Sequence, residues 1–219
     1  MKRRGFTIIE LMVATMVFSL VLLLCLTALM SISRSYYKGV TLTKVQNATR
    51  QIVNEISQGI QLSADSIMAS TGPAGPMVDP SADPSGIMCV GLKRYTYAID
   101  RQIATNPSVN AADKQIKNAV IRDQLAAPCS STTPKANLGV DVTAPSASLL
   151  SENMRLSRLI VEPVGGDQRI WRVSVTVVFG SSDLLVEENG RTVCRSDVGK
   201  EFCGFSEIST TVIRRMGNE

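Results

Sequence analysis

Met1–Ile32 reads MKRRGFTIIELMVATMVFSLVLLLCLTALMSI, and the fold is decided by how this stretch is read. A short basic tail ends at Gly5. An apolar run then begins at Phe6 and lasts about 27 residues, with Glu10 as its one formal charge. Roughly 20 apolar residues suffice for a helix to cross a bilayer. The run holds neither Pro nor Gly, and it is apolar all round, as lipid exposure requires. Lys2, Arg3 and Arg4 precede it, so the positive-inside tendency holds the N-terminus in the cytoplasm and sends the remaining chain outward. The expectation is a single-pass protein of the cytoplasmic (inner) membrane whose bulk is extracytoplasmic.

Two ordinary explanations account for part of this pattern. A secretory signal peptide has an apolar core of about 7–15 residues before its cleavage site, and the run here is longer. A plain membrane anchor fits the length but gives no reason for Glu10, since a carboxylate in hydrocarbon costs on the order of 2.5–3.5 kcal/mol. If the chain were cut after Gly5, the new amine at Phe6 would lie at nearly the depth of Glu10. Within one helix the two meet poorly. Between neighbouring helices, the Phe6 amine of one subunit could meet the Glu10 carboxylate of another, neutralising two charges that an apolar medium penalises.

The sequence K-R-R-G followed by F-T-I-I-E-L-M-V-A resembles the class III signal of type IV pilins and the related pseudopilins. The resemblance implies cleavage between Gly5 and Phe6 by a prepilin peptidase, N-methylation of Phe6, and Glu10 as the residue that docks a subunit into a growing filament. It implies as partners the peptidase, other major and minor pilins packed helix against helix, the inner-membrane assembly platform, and membrane lipid before assembly.

Composition narrows the chemistry. The chain has 219 residues and no histidine, so it lacks the commonest general base and metal ligand. Its formal charge of +4 falls to +1 without Lys2, Arg3 and Arg4, which gives nucleic-acid binding no support. No phosphate-binding glycine loop, dinucleotide fingerprint, nucleophile elbow or calcium loop occurs, and no cofactor, metal or catalytic residue is expected. Asp79 and Asp83 in a Pro-rich stretch read as solvated turn residues rather than calcium ligands. Cys25 lies in the apolar run. Cys89, Cys129, Cys194 and Cys203 form an even set on the exported side, with three possible connectivities. Cys89–Cys129 and Cys194–Cys203 is the preferred pairing, because each pair encloses a polar, irregular stretch whose closure restricts the unfolded chain. Zinc is the rival, but none of the spacings resembles C-x-x-C.

Beyond the apolar run, Val45, Ala48, Ile52, Ile56 and Ile60 recur at spacings of three and four among polar residues. The expectation is one helix from Phe6 to about Gln61, on the order of 80 Å long, with Gly39 as a weak point. Tyr36 and Tyr37, flanked by Arg34 and Lys38, fit an interfacial belt where the helix leaves the bilayer. Ser63–Gly86 is rich in Ser, Ala, Gly, Pro and Asp and reads as a loop. Ile87–Ile99 has the content of one or two strands, Ala111–Ala127 reads as a short helix, and Pro128–Ser148 as a second loop. Leu156–Val164, a Gly-rich turn and Ile170–Phe179 make a hairpin, in which Trp171, Val173, Val175, Val177 and Phe179 alternate with Arg172, Ser174 and Thr176. Glu187–Cys194 carries a turn at Asn189-Gly190, and Ile208–Arg215 reads as a last strand.

These elements give an α+β fold in which a long N-terminal helix packs on an antiparallel sheet, the pilin architecture. The expected organisation is a leader at 1–5, a membrane and filament-core helix at 6–33, its amphipathic continuation at 34–62, and a β-rich head at 63–219. The order of elements and the terminal T-T-V-I-R-R are similar to PilW-like minor pilins and J-type pseudopilins. The function expected is a minor pilin of a type IV pilus. The rivals are a pseudopilin of a type II secretion or competence DNA-uptake machine, and a membrane-tethered adhesin. No enzymatic role is expected.

Overall fold

A computed structural model describes residues 7–63, 67–69, 85–99, 120–127, 129, 147–151, 153–165, 167–188, 191–195 and 199–215. One helix, α1 (Ile8–Leu62), runs unbroken for 55 residues, through Gly39, and so is about 82 Å long. Up to Gly39 its side chains are exposed. Beyond that point Thr41, Val45, Thr49, Ile52, Val53, Ile56, Gly59 and Ile60 turn one stripe inward. Spacings of three and four place these residues on one face, and that face needs a cover.

The cover is antiparallel sheet. β6 (Met154–Val164), β7 (Asp167–Phe179) and β10 (Gly204–Ile213) form a three-stranded sheet in the order β10-β7-β6. On β7 the period of two puts Trp171, Val173, Val175 and Val177 on the helix side, each at most 2 % exposed. Opposite them on β6 stand Val161, Leu159 and Leu156, all fully buried. β10 lies alongside the helix: Gly204 sits against Thr41, Leu42 and Val45, and at the other end Arg215 N–H donates to the Gln61 carbonyl at 3.3 Å. The sheet's outer face is partly covered by a two-stranded hairpin, β8 (Leu185–Glu188) and β9 (Arg191–Cys194), whose Leu185 packs with Val178 and Cys203.

A second sheet in the order β1-β2-β3-β4-β5 completes the core: β1 (Met68–Ala69), β2 (Ser85–Val90), β3 (Lys93–Ala98), β4 (Val120–Gln124) and β5 (Ala147–Ser148). Ile87–Ile99 is therefore two strands. Val90 pairs with Lys93, leaving the two-residue loop Gly91-Leu92 with a positive φ at Gly91 alone, the pattern of a type II′ turn. Met88, Val90, Tyr95 and Tyr97 join the helix stripe in one core cluster.

Three expectations are corrected. The helix expected over Ala111–Ala127 is a strand at Val120–Gln124, residues 111–119 lying outside the described residues. Its β-branched Val120 and Ile121 are both buried, and Arg94 of β3 stands directly opposite Asp123, a cross-strand ion pair available only in the extended form. The loop expected over Ser63–Gly86 contributes Met68–Ala69 and Ser85–Gly86 to the sheet. The second expected loop ends in Ala147–Ser148, which pairs with β4. The expected turn at Asn189-Gly190 lies outside the described residues, between Glu188 and Arg191, which pair.

Candidate assembly and anchoring site

The site is built along α1, starting from its first turn. Thr7 is the N-cap, and its hydroxyl accepts from the Glu10 backbone N–H at 3.3 Å. In return, Glu10 Oε2 accepts from the Thr7 backbone N–H and the Thr7 hydroxyl, each at 2.9 Å. This reciprocal capping box satisfies donors that a helix start leaves orphaned. Glu10 thus has a role inside its own chain, and the residue that supplies it, Thr7, was readable from T-I-I-E as a threonine three positions before a glutamate. Both bonds fall on Oε2, and an ionised carboxylate offers about four acceptor positions, so capacity remains for an external cation.

Glu10 shares a helix face with Val13, Ala14, Val17 and Val21. This face and the remaining surface up to Ile32 are exposed, and the helix is long and apolar enough to cross a membrane. The hydroxyls of Thr15, Ser19 and Thr27 donate to the Met12, Thr15 and Leu24 carbonyls at 2.8–2.9 Å, which leaves them satisfied without water. Gly5, Phe6, Lys2, Arg3 and Arg4 lie outside the described residues, as do Asp79 and Asp83.

Further along, a polar clamp fixes the helix to the first sheet. Glu55 Oε1 accepts from Lys93 Nζ at 2.8 Å and from Arg122 Nη1 at 3.0 Å, while the Tyr95 hydroxyl donates to the Glu55 carbonyl oxygen at 3.3 Å. Burial pushes the Glu55 carboxyl up, but the hydrogen bonds and charges of Lys93 and Arg122 outweigh it and hold the group below its ordinary value. Burial, with the Glu55 charge beside it, raises the Tyr95 hydroxyl, which stays protonated. In the sequence Glu55 reads as part of the solvated helix face and Lys93 and Arg122 as isolated, solvated charges, so the clamp has no local signal. Next to the clamp, Arg94 holds Asp123, which is 4 % exposed.

Cys89 is bonded to Cys129 and Cys194 to Cys203, with Cα atoms 5.7 and 5.8 Å apart; Cys25 is free and exposed. The first bond ties β2 to the segment after β4. The second ties the end of β9 to the residue before β10. Among the described residues, no group of three or more His, Cys, Asp or Glu is placed to hold a metal ion.

A family model described as the prokaryotic N-terminal methylation motif matches residues 1–26. The first 26 residues therefore carry the class III signal of type IV pilins, and the motif supports a pilin-like or pseudopilin precursor processed by prepilin peptidase. Neither the curated proteins nor the solved structures gave a match to the chain.

Proposed function

We propose that this chain is a minor pilin of a type IV pilus, cut between Gly5 and Phe6, methylated at Phe6 and built into a filament through α1. The observation that carries the reading is the coincidence, on one helix, of the methylation motif with an exposed apolar half and a docked amphipathic half. Lys2, Arg3 and Arg4 hold the leader in the cytoplasm, α1 spans the inner membrane, and the head lies outside. The division into leader 1–5, core helix 6–33, amphipathic continuation 34–62 and head 63–219 belongs to the same proposal. Leaving lipid is offset by packing exposed α1 surfaces together in the filament core, with the assembly platform driving the transfer.

In that transfer Glu10 has two duties. The capping box orients its carboxylate at the helix start, and the methylated Phe6 amine of a neighbour supplies the counter-charge, which fixes the register between subunits. The test is Glu10→Val in the native host. Insertion and cleavage are expected to be normal while the protein is lost from sheared surface filaments. Unchanged incorporation would refute the charge pairing. The motif is shared with pseudopilins, so recovery of the unmutated chain only in the cell envelope, never in surface fibres, would move the reading to a secretion machine.

A further inference from the structure

Phe202 lies far from α1 in sequence, yet its ring packs on Tyr37 with centroids 5.5 Å apart, and Tyr37 in turn meets Tyr36 edge-on at 6.1 Å. Two further contacts hold the segment there: the Thr41 hydroxyl donates to the Glu201 carbonyl at 3.4 Å, and Gly204 sits against Thr41 and Leu42. The Cys194–Cys203 bond closes the loop behind them. Despite this packing the three rings stay open to solvent, Tyr36 at 68 %, Tyr37 at 49 % and Phe202 at 46 %. Arg34, Lys38 and Lys200, all exposed, lie within a few residues of these rings along the chain.

We infer that Phe202, held beside the Cys194–Cys203 bond, is a second membrane contact, with which the head rests its base on the headgroup layer of an anionic bilayer. The inference rests on the membrane placement of α1 proposed above. Depth carries the argument. A hydrocarbon core of about 30 Å takes up roughly 20 helical residues, and the rise of about 33 Å from Glu10 to Ile32 fits it with a modest tilt, so the span leaves the core at Ile32. Tyr37, five residues on, then lies about 7 Å beyond the hydrocarbon, at the outer edge of a headgroup layer about 5–7 Å thick on each side. The ring of Phe202 is at that level because it touches Tyr37. Aromatic rings are favoured at this depth, and the cations there match lipid phosphates. With the helix as one point of attachment and Phe202 as another, the docked helix and head cannot tilt freely against the bilayer.

The oxidised full chain, reconstituted in phosphatidylcholine–phosphatidylglycerol vesicles, provides the test through tryptophan quenching by brominated lipids. Trp171 is the chain's one tryptophan and is 2 % exposed in the core, so the parent supplies the background. A Phe202→Trp probe is expected to be quenched about twofold more by lipids brominated near the headgroup than by those brominated near the methyl end. A Leu22→Trp probe in the span should show the reverse order. An Ile213→Trp probe, at the far end of β10 and about 30 Å from Gly204, should remain unquenched. Quenching at Leu22→Trp with none at Phe202→Trp overturns the second contact and leaves the membrane-spanning reading intact. If the Phe202→Trp probe is unquenched in vesicles and becomes shielded on assembly into filaments, the patch belongs to subunit packing and the membrane contact is overturned. Quenching at neither position overturns both the contact and the membrane placement beneath it.

Discussion

Replacing Glu55 isolates what the clamp contributes to holding the head on the helix. Its carboxylate is 17 % exposed and faces Lys93 and Arg122, whose side chains are 30 % and 34 % exposed. This environment lies between a surface pair, worth about 0–1 kcal/mol, and a buried one, whose disruption costs about 3–5 kcal/mol. Glu55→Gln keeps the shape and one acceptor oxygen but removes the charge, so a loss of about 1–2 kcal/mol near neutral pH is expected from the same range. The pH dependence fixes the cause. Because the folded-state carboxyl is held below its ordinary value, its contribution is fully present above the unfolded value of about 4.3 and is lost as pH falls through the folded one. Protonated glutamate resembles glutamine, so the two proteins should converge in stability at acid pH. Urea unfolding of the full chain in detergent, followed by Trp171 emission at neutral pH and well below the carboxylate range, measures both points. Equal stabilities at neutral pH, or a gap that persists unchanged in acid, would refute the reasoning.

Other positions give independent checks. Ile56→Ala opens a cavity where the fully buried stripe meets the sheets and should cost about 2–5 kcal/mol in the same unfolding assay, while Leu24→Ala on the exposed half should leave the head's stability unchanged. Cys194→Ser combined with Cys203→Ser removes a nine-residue closure and should destabilise by about 2–3 kcal/mol on the loop-entropy relation. A reductant, which opens Cys89–Cys129 as well, should cost the parent more than this double substitution does.

The helix was legible because both of its halves carry a simple signal. Phe6–Ile32 is apolar apart from Glu10 and a few hydroxyls, and Val45–Ile60 repeats at spacings of three and four that nothing interrupts. The hairpin of β6 and β7 was legible for the matching reason, a period of two from Trp171 to Val177. Val120-Ile121 was not, since two adjacent β-branched residues fit a buried strand and a helix face equally well. Only a neighbour, Arg94 opposite Asp123, decides between them. At the candidate site, Glu10 is conspicuous as a charge among apolar residues, whereas its bonds to Thr7 form a local cap that this charge overshadows. The clamp on Glu55 and the contact of Phe202 with Tyr37 join residues 38, 67 and 165 positions apart. No local pattern encodes such meetings, which exist only once the sheet has docked on the helix.

The central claim is that cleavage after Gly5 prepares an amine at Phe6 for assembly. Mass spectrometry of the protein's N-terminal peptide, taken from sheared surface filaments, tests it most directly. The account predicts a chain beginning at a methylated Phe6; a peptide that still carries Met1–Gly5 would contradict it.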